Sequence, residues 1–311
     1  MKKVFIDGGS GTTGLRLRGR LSERKDIELV VAPEDARRSK EVRRELINGS
    51  DIAFLCLPDD AARESVAMCV NPDTVIIDTS TAHRTAEGWA YGFAELSPAF
   101  RQNIAESKRI AVPGCHASGF ISIVYPLVTA GILPPDYPVV CYSLTGYSGG
   151  GKKMIADYEN DYAEGLSAPG QYGILQNHKH LPEMQAVTGI SCPPVFTPIV
   201  ADYYSGMATS VNLRADLLPG KQTPQTVYEA LYSHYASSKL VYAYLFTADN
   251  ARTIYADEMA GKDSMRIFVS GNDERIFITS VFDNLGKGAS GAAIQCMNIS
   301  MGVDETTGLV V

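Results

Sequence analysis

The chain has 311 residues, of which 45% are hydrophobic and 20% are charged, and its formal net charge is -7. A chain of this length can bury a substantial core, and the length predicts two domains rather than one. The acidic balance argues against a general nucleic-acid binder and against a basic membrane-surface protein.

The cysteines and the hydropathy pattern indicate the compartment. The six cysteines show no CxxC spacing and lie in mostly apolar surroundings, at Cys56, Cys69, Cys115, Cys141, Cys192 and Cys296. This pattern is typical of a reduced intracellular protein without a disulfide framework or a zinc site. No signal-peptide core precedes the first strand pattern, and no long uncharged apolar segment follows it. We therefore expect a cytoplasmic protein with no membrane span and no bound metal.

The first strand pattern, residues 4–6, leads through a glycine turn into an amphipathic helix pattern. Gly9, Gly11 and Gly14 satisfy the G-x-G-x-x-G spacing in the strand-turn-helix context of a dinucleotide fingerprint. Glycines at these positions let the backbone approach a pyrophosphate at the helix N-terminus. The predicted cofactor-binding residues of this turn are Gly9, Ser10, Gly11, Thr12, Thr13 and Gly14. A tight βα turn without a ligand is the alternative.

The loop after the second predicted strand, residues 27–31, bears on the choice of cofactor. It runs Pro33-Glu34-Asp35-Ala36-Arg37-Arg38 and so offers both carboxylates and arginines. A carboxylate would bind the ribose 2'-hydroxyl of NAD, whereas arginines would accept the 2'-phosphate of NADP. We favour NADP, because Arg37 and Arg38 can open the next helix with their donors available. An exposed helix start with no ligand is the alternative.

Further short apolar runs, residues 51–57, 74–77 and 108–112, continue the pattern of a doubly wound parallel sheet covered on both faces. Loops at the carboxyl ends of such strands line the ligand crevice. We therefore predict that Pro58 and Ser80 face the cofactor.

Cys115 stands in a glycine-loosened turn just ahead of a long apolar run, residues 120–128. If that run is a helix, Cys115 lies at its N-terminal end, where backbone N–H groups and the helix dipole favour the thiolate. Such a thiolate is suited to attack an acyl carbon. A buried structural cysteine is the alternative. Its position after the last strand of the predicted dinucleotide-binding sheet favours the catalytic interpretation.

From about residue 117 the pattern becomes strand-rich, which predicts a second domain with a mixed or antiparallel sheet. The predicted strands are residues 139–142, 196–200, 207–213, 266–270 and 275–282. A final helix pattern at residues 288–301 is expected to pack back on the nucleotide domain. We therefore predict a dinucleotide-binding domain, residues 1–116 completed by 286–311, and a catalytic and oligomerisation domain, residues 117–285.

Two polar segments of the second domain are candidate site loops. The first, residues 146–153, is glycine-rich and carries Ser148, Gly149 and Lys152, which suits an anion; a flexible connection is the alternative. The second, residues 176–183, holds His178 and His180 ahead of Glu183. Histidine titrates near neutrality, so either imidazole can serve a cysteine as general acid or base. Surface histidines in a polar loop are the alternative.

Together these motifs resemble the N-acetyl-gamma-glutamyl-phosphate reductase family of arginine biosynthesis in its shorter form, over nearly the full length. The resemblance rests on five motifs in order, namely residues 8–14, 113–115, 146–149, 178–183 and 284–291. It implies an α/β fold of the semialdehyde dehydrogenase and glyceraldehyde-phosphate dehydrogenase type, in which a Rossmann-type doubly wound parallel sheet precedes an α+β catalytic and dimerisation domain.

The resemblance also implies NADPH as cofactor and Cys115 as nucleophile, with His180 or His178 as the general acid/base. It places Asn284, Lys287 and Gly288 near the nicotinamide. As substrate-binding residues we predict Ser148, Gly149, Lys152 and Glu183. Two neighbours depart from the family's pattern, since Val112 replaces an asparagine before Pro-Gly-Cys and His116 replaces a tyrosine after it. The second departure puts another imidazole beside the thiol and leaves the identity of the base open.

The expected reaction is NADPH-dependent reduction of N-acetyl-gamma-glutamyl phosphate to the semialdehyde, with release of phosphate, through a thioester on Cys115. We expect a homodimer or homotetramer with the second domain's strands at the interface, acting on a small molecule. Two alternatives stay open, a reductase of another acyl phosphate such as aspartyl phosphate and a non-catalytic nucleotide-sensing protein.

Overall fold

A computed structural model describes residues 1–33, 35–162 and 164–311. The chain divides into two compact units. The first unit comprises Met1–Pro113 and Ala289–Leu309, and the second unit comprises Gly114–Gly288 and Val310–Val311. No helix of the described residues is both long and apolar enough to cross a membrane.

The first unit is built on a parallel sheet whose described strands have the order β2-β1-β3-β4-β6-β5. The strands are β1 (Lys2–Asp7), β2 (Ile27–Val30), β3 (Ile52–Leu55), β4 (Val75–Asp78), β5 (Ala90–Tyr91) and β6 (Arg109–Ala111). The helices are α1 (Thr12–Leu21), α2 (Lys40–Asn48), α3 (Asp59–Met68) and α4 (Pro98–Glu106), with α9 (Gly291–Ser300) from the C-terminal segment. This is the doubly wound sheet that the apolar runs predict, with the short β5 added.

Both faces of this sheet are covered by apolar clusters. Consecutive residues of a strand point to opposite sides, so one strand contributes to both clusters. In β3, Ile52 and Phe54 belong to one core cluster, which α9 joins through residues such as Met297. Ala53 and Leu55 belong to a second cluster on the opposite face. The continuous apolar sequence of β3 is therefore what a strand between two helical layers requires.

The second unit contains a mixed sheet with the order β11-β12-β13-β10-β7-β9-β8. The strands are β7 (Val140–Gly146), β8 (Gly170–Gln171), β9 (Val195–Ala201), β10 (Met207–Arg214), β11 (Val241–Leu245), β12 (Met265–Gly271) and β13 (Arg275–Phe282). The helices are α5 (Cys115–Thr129), α6 (Gly151–Ala156), α7 (Leu181–Thr188) and α8 (Pro224–Tyr235). The five strands predicted for this part of the chain are present, and the α/β fold class is confirmed.

Helix α5 is the central helix of the second unit, and it packs on β10 and β13 and against α7 and α8. Almost every residue from His116 to Leu127 is buried. A helix that is apolar on all sides is stable only inside a core. The apolar run that follows Cys115 in the sequence therefore holds the helix, and with it Cys115, in a fixed place.

Candidate active site

Cys115 is the first residue of α5, as the sequence predicts, and its side chain is half-buried. The preceding residue, Gly114, caps the helix in an extended conformation with φ -73° and ψ 146°. The first turn of α5 carries no acidic side chain whose negative charge would offset the positive end of the helix dipole. The backbone surroundings of Cys115 therefore favour a negative charge on its sulfur.

Glu183 holds the turn in front of Cys115. Its carboxylate Oε2 accepts a hydrogen bond from the Gly114 N–H over 3.1 Å, and its side chain is buried in the first turn of α7. A hydrogen bond between a carboxylate and a buried backbone N–H is charge-assisted and therefore stronger than one between neutral groups. We predict Glu183 as a substrate-binding residue from the sequence, and the structure gives it this contact with the nucleophile's own turn.

Gly288 lies directly against Cys115. A Cβ atom at residue 288 would lie 3.0 Å from the Cβ of Cys115 and 3.2 Å from the carbonyl oxygen of Asp283. Residue 288 therefore has no room for a side chain unless its neighbours move. Gly288 and the buried Lys287 belong to a π-helical turn, Gly286–Ser290, and the Gly288 N–H donates to the Asp283 carbonyl over 3.0 Å.

The two histidines predicted as acid/base residues form a cluster with His116. The ring centroids of His178 and His180 are 4.7 Å apart. The ring centroid of His116 lies 5.6 Å from that of His178 and 5.8 Å from that of His180. The His180 N–H donates to Nδ1 of His178 over 3.2 Å, and His180 itself is buried at the start of α7. The structure thus brings together imidazoles that are more than 60 residues apart in the sequence, as His116 and His178 are.

His116, which its place beside Cys115 makes a candidate base, is buried. Burial, together with the charges of His178 and Lys179, lowers the pKa of His116 to about 3. Its ring is closed in by Tyr172 and Phe196, at centroid distances of 6.1 and 5.3 Å. An imidazole with such a pKa does not take up a second proton near neutrality, so His116 stays neutral.

The predicted substrate residue Ser148 and the predicted cofactor residue Asn284 contact each other. Asn284 Nδ2 donates to Ser148 Oγ over 3.0 Å, while Asn284 Oδ1 accepts from the Gly206 N–H over 2.8 Å, and both side chains are buried. Gly149 lies beside the same amide, since a Cβ there would be 3.5 Å from Asn284 Nδ2. The segment that the sequence leaves as an anion loop or a flexible connection forms a 3-10 turn, Tyr147–Gly150, followed by α6, on which Lys152 is exposed.

The glycine turn of the first unit borders a cavity of about 690 Å³ beside the ends of β1 and β2. Its wall includes Gly9, Ser10, Leu15, Arg18, Arg37, Arg38 and Arg43. Gly11 caps α1, and a Cβ at Gly14 would lie 2.6 Å from the carbonyl oxygen of Gly8, so this turn needs a glycine there. The hydroxyl oxygen of Thr12, on the first turn of α1, is buried with no hydrogen-bond partner among the described residues.

These residues fit a dinucleotide. The start of α1 and the Thr12 hydroxyl suit a pyrophosphate, and the arginines of the cavity suit a further phosphate. The arginines do not open α2, however, because Ser39 caps that helix, accepting the Val42 N–H over 3.4 Å. Arg37 and Arg38 lie in the turn before it. Of the two carboxylates in the same loop, Asp35 is exposed in this turn, and Glu34 with its predicted role lies outside the described residues.

Pro58 and Ser80 occupy the carboxyl ends of their strands. Pro58 caps α3 directly after β3. The Ser80 hydroxyl donates to Oδ2 of Asp78 over 2.7 Å, and its N–H donates to Oδ1 over 2.9 Å. The same carboxylate lies 2.7 Å from Nδ1 of His83, whose ring stacks on Trp89 at 4.1 Å. Asp78 therefore engages the hydroxyl that is predicted to face the cofactor.

Tyr172, to which no sequence motif points, lies beside the cluster of His116 and His178. Its hydroxyl lies 2.6 Å from Nε2 of His116. The residue stands in a glycine-flanked segment with no motif of its own, 56 positions from His116. Only its proximity to the two-histidine segment could have drawn attention to it.

Comparison with known proteins places the chain in a family. The model of the semialdehyde dehydrogenase NAD binding domain matches residues 3–105, and that of the semialdehyde dehydrogenase dimerisation domain matches residues 115–284. The chain is similar to aspartate semialdehyde dehydrogenase II of Vibrio cholerae, with a TM-score of 0.71 and 16% identity over 97% of this chain and 98% of that one. The enzyme of Francisella tularensis aligns with a TM-score of 0.72 at 13% identity, over 96% of this chain and 99% of that one. Identities this low support the fold alone.

The curated relatives are much closer in sequence. N-acetyl-gamma-glutamyl-phosphate reductase of Sinorhizobium fredii is 46% identical over 96% of this chain and 98% of its own length. The protein of that name from Brucella anthropi is 45% identical, again over 96% of this chain and 98% of its own length. These relatives confirm the resemblance drawn from the five motifs. The chain thus belongs to the semialdehyde dehydrogenase family and, within it, to the N-acetyl-gamma-glutamyl-phosphate reductases.

Proposed function

We propose that the chain reduces N-acetyl-gamma-glutamyl phosphate to N-acetylglutamate semialdehyde and phosphate with NADPH, as a step of arginine biosynthesis. The observation that carries this proposal is the place of Cys115 at the start of α5, with Glu183 bonded to the preceding N–H and Gly288 against its side chain. Relatives that are 45–46% identical over almost the whole chain bear the reductase name and point to the substrate.

The chemistry follows from a thiolate at this position. Cys115 attacks the acyl carbon, and the bond from that carbon to the phosphate oxygen breaks with its electron pair leaving on phosphate, which gives a thioester. NADPH, when bound, supplies the hydride that reduces the thioester carbon. The thiohemiacetal on Cys115 then returns the carbon–sulfur electron pair to sulfur as its hydroxyl loses a proton, and the aldehyde leaves.

The chain's own groups support these steps. The first N–H groups of α5, which a helix leaves without intrahelical partners, lie where an oxyanion would form. Glu183 engages the N–H of Gly114, so this part of the work falls to the N–H groups that follow. His180 accepts and returns the proton of the hemiacetal oxygen, with His178 as the neighbouring alternative. We do not assign that role to His116, because burial lowers its pKa and makes it a weak base.

NADP is proposed as the cofactor because of the cavity beside the glycine turn. Arg18, Arg37 and Arg38 line it at the end of β2, where a 2'-phosphate would lie in a dinucleotide-binding sheet. The Thr12 hydroxyl, buried on the first turn of α1, is suited to a pyrophosphate oxygen. NADP should therefore bind more tightly than NAD, and R37A/R38A should reduce this preference. Equal affinities in the unmodified chain would contradict the proposal.

The activity is tested in the reverse direction. The purified chain is incubated with N-acetylglutamate semialdehyde, phosphate and NADP, and the reduced cofactor is followed by absorbance. Cys115→Ser should abolish the signal and leave NADP binding nearly intact, whereas Cys192→Ser, which changes an exposed cysteine, should leave both unchanged. Turnover by the C115S variant would refute the thioester route. A signal with aspartate semialdehyde alone would refute the substrate.

We also propose a homodimer or homotetramer in the cytoplasm. The family model that matches residues 115–284 is named for dimerisation, and the sheet of the second unit exposes apolar side chains at Val140, Val195 and Tyr244. None of the six cysteines, all of which lie in the described residues, forms a disulfide, as befits a reducing compartment. Sedimentation at several concentrations measures the assembly, and a monomer throughout would contradict it.

A further inference from the structure

A buried aspartate holds the turn that contacts Cys115. Asp283, the residue after β13, is fully buried. Its carboxylate Oδ1 accepts the Leu285 N–H over 2.8 Å, and its backbone carbonyl accepts the N–H groups of Gly286 and Gly288 over 3.1 and 3.0 Å. Asp283 therefore fixes the shape of the turn whose Gly288 lies against the Cβ of Cys115. It has no part in the steps derived above.

The second oxygen of this carboxylate joins the turn to a loop of the second unit. Oδ2 of Asp283 accepts the Gly261 N–H over 2.6 Å. Gly261 belongs to residues 256–263, between β11 and β12, which we call the support loop. The Lys262 carbonyl of this loop packs so closely on Gly286 that a Cβ there would lie 2.1 Å from its oxygen. Loop and turn thus meet at a hydrogen bond and at a close backbone contact.

The support loop is itself anchored at two other points. Asp263 accepts the Val310 N–H at Oδ2 over 2.8 Å, and its own N–H donates to the Val310 carbonyl over 2.6 Å. Met259 is buried in a core cluster with side chains of β10, β12 and β13, namely Ala208, Phe268 and Val281. The loop is therefore a fixed support for the turn.

A carboxylate suits the position of Asp283 better than any neutral side chain of its size. An ionised carboxylate accepts hydrogen bonds at both oxygens, whereas an asparagine amide accepts at one end and donates at the other. Only the carboxylate can therefore bind the N–H groups of Leu285 and Gly261 together. Burying a charge costs free energy, so a residue that served only to fill the core would be apolar.

We propose that Asp283 is a positioning residue, whose carboxylate fixes the turn against the support loop and so holds Gly288 against the Cys115 side chain. Gly288 leaves that side chain no room on one side, which keeps the sulfur in the rotamer from which it attacks the acyl carbon. The inference rests on the proposed function, since it takes Cys115 as the nucleophile, but the packing can be measured without substrate.

Asp283→Asn tests the inference, because the amide has nearly the shape of the carboxylate but turns a donor towards one of the two N–H groups. That N–H has to move away, and Gly288 moves with the turn. In the full chain, kcat of the reverse reaction with saturating semialdehyde, phosphate and NADP should fall about tenfold, since the sulfur is less well oriented. Without substrate or cofactor, iodoacetamide should alkylate Cys115 about fivefold faster, the factor that corresponds to the loss of one hydrogen bond.

Opposite changes of turnover and alkylation distinguish a displaced turn from a thiol that has lost its reactivity. Peptide mass spectrometry follows Cys115 and the buried Cys141 of β7 in the same sample, and Cys141 should react no faster than in the unmodified chain. Equal acceleration at both cysteines would make Asp283 a residue of general stability and overturn the inference.

Thr74→Val is the matched control. Its hydroxyl is also fully buried and donates to the Ser50 carbonyl over 2.9 Å, just before β4 of the first unit. The T74V variant should leave both kcat and the alkylation of Cys115 unchanged. If D283N does not fold, Gly286→Ala carries the test with the same expected changes, because its methyl group forces the Lys262 carbonyl away from the turn.

The two readouts separate the inference from the proposed function. Alkylation of Cys115 in D283N at the rate of T74V overturns the inference, and so does an unchanged kcat. Faster alkylation of Cys115 alone, in a chain whose unmodified form reduces no acyl phosphate, supports the packing and refutes the proposed function instead.

Discussion

Gly119 lies in the middle of α5, where helix propensity and packing predict opposite effects of an added methyl group. A Cβ at residue 119 would lie 2.4 Å from Oγ1 and 2.5 Å from Cβ of Thr209, and 2.9 Å from Cε1 of Phe282. Carbon atoms in contact normally keep about 3.5–4.0 Å apart. Gly119→Ala therefore demands a displacement of about 1 Å between α5 and β10.

Neither β10 nor α5 can move easily to make room for the added methyl group. Thr209 belongs to β10, which is paired with β13 on one side and β7 on the other, and α5 is buried along almost its whole length. Overpacking of this kind costs about 1–3 kcal/mol, occasionally more. Alanine gains about 1 kcal/mol over glycine in a helix interior. Because the contact distances lie far below the normal range, we expect packing to prevail, with a net loss of about 2 kcal/mol.

Urea unfolding followed by circular dichroism, at one protein concentration, measures the effect. Gly19→Ala is the matched control, because Gly19 is an exposed residue of α1 with no atom within 4 Å of its would-be Cβ. That variant should be more stable than the unmodified chain, by up to about 1 kcal/mol. A G119A variant as stable as the unmodified chain would refute the packing argument.

Three further predictions concern buried ionisable groups. Burial lowers the pKa of His116 to about 3, so below about pH 6.5 the unfolded chain binds a proton at this residue that the folded chain does not bind. The free energy of unfolding should therefore fall as the pH is lowered from about 6.5 to about 3, by up to about 1.4 kcal/mol per pH unit. His116→Gln should lose that part of the pH dependence in unfolding experiments. Arg43→Ala leaves the buried Asp7 carboxylate without the guanidinium from which it accepts hydrogen bonds over 3.0 Å. The variant should lose about 3–5 kcal/mol of the free energy of unfolding, and an unchanged melting temperature would contradict this. Iodoacetamide at about pH 8 should modify the exposed Cys192 and spare Cys141, whose thiol pKa is raised by burial, and equal labelling in peptide mass spectra would be the contrary result.

Features encoded within a few neighbouring residues are predictable from the sequence. The continuous apolar run of β3 predicts a strand buried on both faces, and both core clusters confirm it. The apolar run after Cys115 predicts a helix that begins at the cysteine, and α5 does so. The glycine spacing before α1 predicts a tight turn, and the close approach of Gly14 to Gly8 gives its cause.

Partnerships between distant residues are not predictable in this way. The bond from Gly114 to Glu183 joins positions 69 residues apart, and that from Asn284 to Ser148 joins positions 136 apart. Their chemistry is clear from residue type, but which polar groups meet depends on how the strands and helices are arranged in three dimensions. His116 shows the consequence, because a histidine beside the nucleophile suggests a base, whereas its burial lowers its pKa and makes it a weak one.

The first unit is assembled from two separated stretches of sequence, and this has a consequence for how the protein is made. Arg24, in the segment after α1, donates to Asn298 Oδ1 over 2.9 Å and to the Thr307 carbonyl over 3.0 Å, and α9 covers one face of the parallel sheet. At about 5–20 residues per second, the ribosome delivers α9 roughly 15 to 60 s after β1. During that interval the sheet's apolar face lacks its cover, while residues 114–288 are already complete and continuous. The continuous part of the second unit can therefore fold before α9 is made, and the parallel sheet of the first unit receives its cover only afterwards.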